Sequence, residues 1–222
     1  MKIRGGAGDR HPFFMIRIKI CGITNEQDAL LAAALGAHAL GFIFYPKSPR
    51  AISPEAARKI IRGLPPFILS VGVFVDEEAQ VVREISERVG LDWVQLHGRE
   101  SPEYCHTLGR RVIKGFRIKD KASLSMLPEY QKAVQAFLLD TYRPGTPGGT
   151  GETFDWEMAR EARKYGPIIL AGGLTPDNVA EAIRVARPEA VDVASGVEAF
   201  PGKKDPEKLR AFFESVRKGS FQ

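Results

Sequence analysis

The stretch IRIKICGITNEQDALLAAALGAHALGFIF (residues 16–44) contains one complete strand–helix–strand unit. Its two apolar runs, Ile16–Ile20 and Ala39–Phe44, are typical of strands that helices cover. Between them, Thr24-Asn25-Glu26-Gln27 has the form of a capping box that starts a helix, and Gly36 is placed to end that helix. The stretch therefore predicts parallel strands joined by helices.

The same unit recurs along the chain at intervals of about 20–30 residues, the length of one strand plus one helix. Four further helix starts place a cap residue before a proline and an acidic residue: Ser53-Pro54-Glu55, Ser101-Pro102-Glu103, Thr175-Pro176-Asp177 and Asp205-Pro206-Glu207. Helices are expected to stop at Gly63, Gly90, Gly166 and Gly219. The eight predicted strands are Ile16–Ile20, Ala39–Phe44, Phe67–Val75, Asp92–Leu96, Val112–Phe116, Ala136–Leu139, Pro167–Leu170 and Ala190–Ala194.

Eight such units in about 200 residues predict an α/β fold, a single-domain (β/α)8 TIM barrel spanning residues 15–219. A doubly wound sheet is the alternative, but it would normally use fewer strands and a glycine-rich first turn, and here that turn is Cys21-Gly22-Ile23-Thr24. The fifth unit is the weakest, because Pro128 interrupts its helix. Residues 1–14 precede the first strand and are expected to be an N-terminal extension, disordered or not native.

The composition excludes several classes of partner. Although the 32 Lys and Arg residues exceed the 27 Asp and Glu residues, giving a net charge of +5, they are scattered along the chain. Nucleic-acid binding is therefore not expected, and an anionic small-molecule ligand suits the charge better. The uncharged stretch from Ala29 to Pro46 is broken by Gly36, His38 and Gly41, so no membrane segment is predicted.

The numbers and spacing of the cysteines and histidines bear on the cellular compartment and on metal binding. Two cysteines in 222 residues make no disulfide framework, which predicts the reducing environment of the cytoplasm. The four histidines lack metal-ligand spacing, so no zinc site is expected.

The carboxyl ends of barrel strands are where an active site forms, and several of them carry reactive side chains. Cys21 follows the first strand, on the same face as Lys19, whose ammonium would favour the thiolate. Asp140 follows the sixth strand, where apolar surroundings would favour the protonated carboxyl and help it act as an acid. These two residues are the candidate base and acid. A buried structural cysteine and a helix cap or ion pair are the respective alternatives.

Polar residues at other strand ends are candidates for binding. Gln95 and His97 share one face of the fourth strand, and His97 is either a ligand contact or a core histidine. Arg50, in the loop after the second strand, could clamp a carboxylate through two hydrogen bonds. Asp192 points inward on the eighth strand, where it could bind ligand or pair with Lys19.

Glycine-rich loops follow the seventh and eighth strands. They contain Gly172 and Gly173 in one case, and Ser195 and Gly196 in the other. Backbone N–H groups in such loops can approach a phosphate closely, and barrels often bind phosphate there. We therefore expect a phosphorylated small molecule, a sugar or its derivative. A third loop, residues 144–151, is a candidate for a mobile cover over the site.

Taken together, these motifs resemble phosphoribosylanthranilate isomerase over essentially the whole domain, from Ile16 to about Val216. The motifs that carry the resemblance are Lys19–Thr24, Gly41–Arg50, Gln95–Gly98, Gly148–Gly151 and Val191–Glu198.

The resemblance implies the third step of tryptophan synthesis, an Amadori rearrangement of N-(5-phosphoribosyl)anthranilate to 1-(2-carboxyphenylamino)-1-deoxyribulose 5-phosphate. It implies that Cys21 is the general base, that Asp140 is the general acid and that Arg50 holds the anthranilate carboxylate. The loops after the seventh and eighth strands would hold the phosphate. The rearrangement turns an aminoaldose into an aminoketose, so the resemblance implies that no cofactor, redox group or metal is required. The oligomeric state stays open between monomer and homodimer.

Three other functions stay open at this point. A related phosphosugar isomerase of histidine synthesis uses a similar barrel, but with a pattern of paired aspartates. A pentulose-phosphate epimerase would need metal-ligating histidines and carboxylates. A non-catalytic anion-binding protein explains the basic charge but not the polar strand ends.

Overall fold

Eight parallel strands close into a barrel in the computed structural model, which describes residues 15–141 and 155–220. Each strand pairs with the next along the chain, and β8 pairs with β1, at Lys19 opposite Asp192 for example. The barrel strands are β1 (Arg17–Cys21), β2 (Ala39–Ile43), β3 (Leu69–Phe74), β4 (Trp93–Leu96), β5 (Val112–Ile118), β6 (Ala136–Thr141), β7 (Ile168–Leu170) and β8 (Ala190–Val193). The predicted TIM barrel and its eight strands are confirmed.

Helices surround the barrel and alternate with its strands. They are α1 (Glu26–Leu35), α2 (Pro54–Arg62), α3 (Ala79–Val89), α4 (Pro102–Thr107), α5 (Leu127–Tyr130), α6 (Trp156–Ala162), α7 (Val179–Ala186) and α8 (Pro206–Ser220). A short antiparallel hairpin, β9 (Glu198–Phe200) with β10 (Lys203–Lys204), follows the last barrel strand and was not predicted. The fifth unit is irregular, as expected, with a 3-10 turn at Lys121–Met126 before the one-turn α5.

The apolar core has two parts. The larger part lies between the barrel and the helices, and the smaller fills the barrel interior, where Val71, Ile113, Leu138 and Ile169 pack together. This interior plug closes the barrel from below, so that the polar residues at the carboxyl ends of the strands form the floor of an open pocket.

Two predicted helix starts are wrong by one to three residues. The cap of α1 is Asn25, whose side chain accepts a hydrogen bond from the Asp28 N–H, while the Thr24 hydroxyl donates to the carbonyl of Gly202. Helix α7 begins at Val179 and not at Pro176. Thr24 thus bonds to the distant Gly202 loop, and the Asn178 side chain stabilises the loop before α7 by bonding to Gly173 and Thr175, so neither predicted first turn forms.

Most of the remaining predicted caps and stops fit the structure, but α8 continues through Gly219 to Ser220, and Gly166 follows a 3-10 turn at Arg163–Tyr165 and not α6 itself. Ser53 and Ser101 cap α2 and α4, and Gly36 and Gly90 end α1 and α3 in the left-handed conformation. Within the described residues, none of the helices is both long enough and apolar enough to cross a membrane. The predicted extension at residues 1–14 and the predicted cover at residues 144–151 lie outside the described residues.

Candidate active site

One pocket lies at the carboxyl ends of the barrel strands, and it brings most of the predicted site residues together. Of these, it is lined by Cys21, Arg50, His97, Asp140, Gly172, Gly173, Asp192, Ser195 and Gly196. The two reactive candidates lie on β1 and β6, which are three strands apart around the closed barrel. They therefore face the same space from different sides.

The thiol of Cys21 is buried at the end of β1, and its environment is crowded. A Cβ atom on Gly41, its register partner in β2, would lie only 2.7 Å from the Cys21 Sγ and 3.2 Å from the Lys19 Nζ. Lys19 is also buried, and its Nζ donates to Asp192 Oδ1 at 2.9 Å, which confirms the predicted pair. Gly41 thus creates the space in which the thiol and the ammonium meet.

Burial and the charges around Cys21 shift the pKa of its thiol in opposite directions. Burial raises the pKa of the Cys21 thiol, the charges of Lys19 and Lys204 lower it, and Asp192 raises it again, with a net upward direction. Burial alone would lower the pKa of Lys19, but Asp192 and Cys21 raise it, so Lys19 stays charged. The predicted ammonium does favour the thiolate, although burial outweighs it in the free protein.

Asp140 is buried in β6, and a chain of polar contacts leads away from it. Its Oδ2 lies 3.4 Å from the His97 Nε2, and the other ring nitrogen of His97 lies 3.2 Å from the Gln95 Nε2. If His97 Nδ1 accepts from the Gln95 amide, the ring proton stays on Nε2, facing Asp140. A Cβ on Gly115 would lie 2.4 Å from His97 Nδ1, so this glycine makes room for the ring.

Gln95 itself does not line the pocket. It is buried below His97, and within the described part of the chain its Oε1 has no hydrogen-bond partner. Its contact with His97 supports a role in orienting the ring and does not support the predicted direct contact with a ligand.

Arg50 reaches the pocket from the loop after β2, but one edge of its guanidinium is already engaged. Its Nε and Nη2 donate to both carboxylate oxygens of Glu198, at distances of 2.7–3.0 Å. The predicted ability of Arg50 to clamp a carboxylate is thus used within the protein itself, through Glu198 in β9.

The two glycine loops form the rim of the pocket. Gly172 and Gly173 have φ values of 82° and 66°, in the region that favours glycine, and Asn178 fixes this loop by donating to the Gly173 carbonyl. The 3-10 turn at Ser195–Val197 follows β8, and a Cβ on Gly196 would lie 1.9 Å from the Leu174 carbonyl oxygen. The two loops therefore pack closely enough to act on one ligand group.

Four residues of the site were missed by sequence reasoning. Arg117 lines the pocket beside Asp140, but the fifth strand was predicted to end one residue earlier, at Phe116. Gly41 and Glu198 lie in motifs that were quoted without a role, and nothing in the sequence distinguishes Lys204 from the other basic residues. Among the described residues, no group of three or more His, Cys, Asp and Glu side chains could hold a metal ion.

Comparisons of sequence and comparisons of fold find similar proteins that carry the same name. The family model described as N-(5'-phosphoribosyl)anthranilate isomerase matches residues 18–215. A relative from Geobacter sp. (strain M21), named N-(5'-phosphoribosyl)anthranilate isomerase, is 56% identical over 204 residues, covering 92% of this chain and 99% of that protein.

Two solved structures of phosphoribosyl anthranilate isomerases are also similar to this chain. One, in complex with reduced 1-(o-carboxyphenylamino)-1-deoxyribulose 5-phosphate, is 44% identical with a TM-score of 0.83, covering 91% of this chain and 99% of its own. The other, monomers generated from the dimeric enzyme of Thermotoga maritima, is 43% identical with a TM-score of 0.82 and the same coverage.

Proposed function

The chain belongs to the N-(5'-phosphoribosyl)anthranilate isomerase family, and from this premise we propose how its own residues carry out the reaction. The protein is an aldose–ketose isomerase of tryptophan biosynthesis. It converts N-(5-phosphoribosyl)anthranilate, an aminoaldose, into 1-(2-carboxyphenylamino)-1-deoxyribulose 5-phosphate, an aminoketose. The rearrangement moves protons and changes no overall oxidation state, so acid and base side chains suffice for it.

Asp140 acts first, as the general acid. Its carboxyl protonates the ring oxygen of the ribose, the C1–O bond breaks, and the nitrogen lone pair forms an iminium ion at C1. Asp140 lies in the pocket wall with His97 3.4 Å from its Oδ2, a contact that fixes the direction of the carboxyl group. A carboxyl held in one orientation transfers its proton more efficiently than a free one.

Cys21 acts second, as the general base. The iminium ion acidifies the C2 hydrogen, the Cys21 thiolate removes that proton, and the electron pair forms an enolamine that tautomerises to the ketone. Burial raises the pKa of Cys21 and so favours the thiol, and Lys19 stabilises the thiolate once it forms. The positive charge of the iminium ion favours the same thiolate.

The two ends of the substrate are held by different loops of the pocket. Arg50 binds the anthranilate carboxylate with the part of its guanidinium that Glu198 leaves free. The loops of Gly172–Gly173 and Ser195–Gly196 bind the 5'-phosphate through backbone N–H groups. Asp192 holds Lys19 beside the thiol and borders the sugar.

The observation that carries this assignment is the shared pocket, which Cys21 and Asp140 line together with Arg50 and the two glycine loops. The test follows loss of anthranilate fluorescence as the purified protein converts the substrate. Asp140→Asn should lower kcat by about 10²–10⁴-fold, because the amide has no proton to donate. Asp120→Asn, which alters only an exposed cap, is the matched control. Equal rates for both variants would rule out Asp140 as the acid.

We further propose that the protein is a homodimer joined through the opposite end of the barrel. Phe67, just before β3, is 98% exposed with a φ of 71°, and Met15 and Leu69 are also exposed at that end. An apolar groove there is lined by Ile16, Ile18, Leu35, Phe213 and Val216. A bulky residue with positive φ is strained, and an aromatic ring so exposed suits insertion into a second copy.

Sedimentation equilibrium of the wild type and Phe67→Asp tests the dimer. The wild type should sediment as a dimer and the variant as a folded monomer with an intact melting transition. A monomeric wild type would exclude the homodimer.

The location proposed for the protein is the cytoplasm. This is supported by the two cysteines, Cys21 and Cys105, which are both free thiols and not joined in a disulfide.

A further inference from the structure

The contact between Arg50 and Glu198 fixes the guanidinium in one plane. Both carboxylate oxygens accept from the Nε and Nη2 edge of Arg50, and the two side chains are only 13% and 4% exposed. The aliphatic part of Arg50 is confined as well, because Gly22 has a φ of +75° and a Cβ there would lie 2.7 Å from the Arg50 Cδ. The side chain is thus oriented before any ligand arrives.

A carboxylate behind Arg50 would by itself weaken the attraction of a second carboxylate, and Lys204 removes this penalty. The fully buried Lys204 Nζ lies 2.9 Å from the Glu198 Oε1, so that Glu198 stands between two cations. Burial would raise the pKa of Glu198, but the Arg50 hydrogen bonds and the Lys204 charge hold it below its ordinary value. Burial lowers the pKa of Lys204 and Glu198 opposes that shift; with all three groups ionised the cluster carries one net positive charge, which Arg50 presents to the pocket.

Lys204 also connects Arg50 and Glu198 to the strand that carries Cys21. Its Nζ also donates to the carbonyl of Cys21 at 2.7 Å and to that of Ala194 at 3.1 Å, while its backbone N–H donates to Asp28. The carbonyls of Cys21 and Ala194 lie at the carboxyl ends of β1 and β8. Arg50, the thiol and one phosphate loop are therefore held at fixed separations by one hydrogen-bonded network.

We propose that Glu198 is a positioning residue that orients Arg50 toward the carboxylate of the substrate, with Lys204 compensating its charge. This inference rests on the proposed function, in which Arg50 binds that carboxylate. A long arginine loses several rotamers when it binds a ligand, and Glu198 imposes that loss in advance. The charge-assisted hydrogen bond between Arg50 and the carboxylate of the substrate then contributes its full strength to binding.

The test compares two ligands that differ by a single carboxylate. They are the reduced product, 1-(2-carboxyphenylamino)-1-deoxyribitol 5-phosphate, and its analogue with phenylamino in place of carboxyphenylamino, each measured by isothermal titration calorimetry. The wild type should bind the carboxylate ligand about tenfold to a hundredfold more tightly. In Glu198→Gln this ratio should fall by about tenfold, while affinity for the analogue changes little.

Two further variants keep the comparison decisive. Glu198→Asp retains the charge beside Lys204, which favours folding, but its shorter side chain cannot hold both nitrogens of Arg50, so its ratio should also fall. Glu100→Gln breaks a second buried pair, Glu100 with Lys114 at 3.2 Å, which is equally inaccessible and does not line the pocket. It should lose stability but keep the wild-type ratio.

Each remaining result contradicts a specific claim. If the wild type fails to discriminate between the two ligands, the assignment of Arg50 to the carboxylate is wrong, and the role of Glu198 falls with it. If the wild type discriminates and both Glu198 variants keep its ratio, the positioning role alone is overturned. An equal loss of ratio in Glu100→Gln would also overturn it, because the effect would then be general loss of stability.

Discussion

Replacing Gly41 with alanine should disable the site by moving one sulfur atom. The new Cβ would lie 2.7 Å from the Cys21 Sγ, which is 0.7 Å closer than the 3.4 Å at which ordinary contact begins. It would also lie 3.1 Å from the Cys21 Cα, and that backbone atom is fixed by the pairing of β1 with β2 and β8. The thiol must therefore rotate or shift, and Lys19 must shift with it.

The size of the effect follows from how strictly proton transfer depends on geometry. A displacement near 1 Å can lower the rate by about 10²-fold, so kcat should fall by roughly that factor while KM changes little. Crowding in a packed barrel should cost about 1–3 kcal/mol of folding free energy. In a chain of this length that lowers Tm by about 2–4 °C for each kcal/mol.

Fluorescence-detected turnover and thermal unfolding of Gly41→Ala measure both quantities. Gly90→Ala is the matched control, because Gly90 has a φ of +82° with open space around it, so alanine there is strained without touching the site. The control should lose stability and keep the wild-type kcat. A fully active Gly41→Ala protein would refute the claim that the position of the Cys21 thiol limits the reaction.

Two further predictions follow from the charges and contacts in the pocket. Asp192→Asn removes a negative charge that raises the pKa of Cys21, so the rise of kcat/KM with pH, which requires the thiolate, should move to lower pH; an unchanged or opposite shift in the pH profile would contradict this. His97→Asn removes the imidazole that lies 3.4 Å from Asp140, and steady-state kinetics should show kcat lowered by about tenfold to a hundredfold with KM nearly unchanged. A loss confined to KM would instead place His97 in direct contact with substrate.

The barrel was predictable because each of its units carries its own signals. The apolar runs, the cap residues before prolines and the glycines after helices are all local, so they predicted eight strands whose ends shifted by only a few residues in the structure. The placement of Cys21 and Asp140 in one pocket was predictable for a related reason. In a parallel barrel, the last residues of all strands reach the same face, whatever the register.

The roles of Gly41, Arg117 and Glu198 were not predicted, because they depend on strand register, strand length and contacts between residues far apart in the sequence. Gly41 matters because register places it opposite Cys21, and Arg117 because β5 continues two residues past its predicted end. Glu198 meets Arg50 across 148 positions of sequence, through a hairpin that apolar patterning does not reveal. The direction in which the pKa of Cys21 shifts likewise depends on how completely the thiol is buried, and only the packed structure shows that.

The central claim, that one specific thiol is the base, is tested most directly by comparing the two cysteines. Cys105 is also a free, buried thiol, and its pKa is raised by burial to about 11, but it lies in α4 within the outer core. Single-turnover measurements should show Cys21→Ala slowed by about 10²–10⁴-fold while substrate still binds, and Cys105→Ala unchanged in rate. Turnover at the wild-type rate by a folded Cys21→Ala protein would contradict the account.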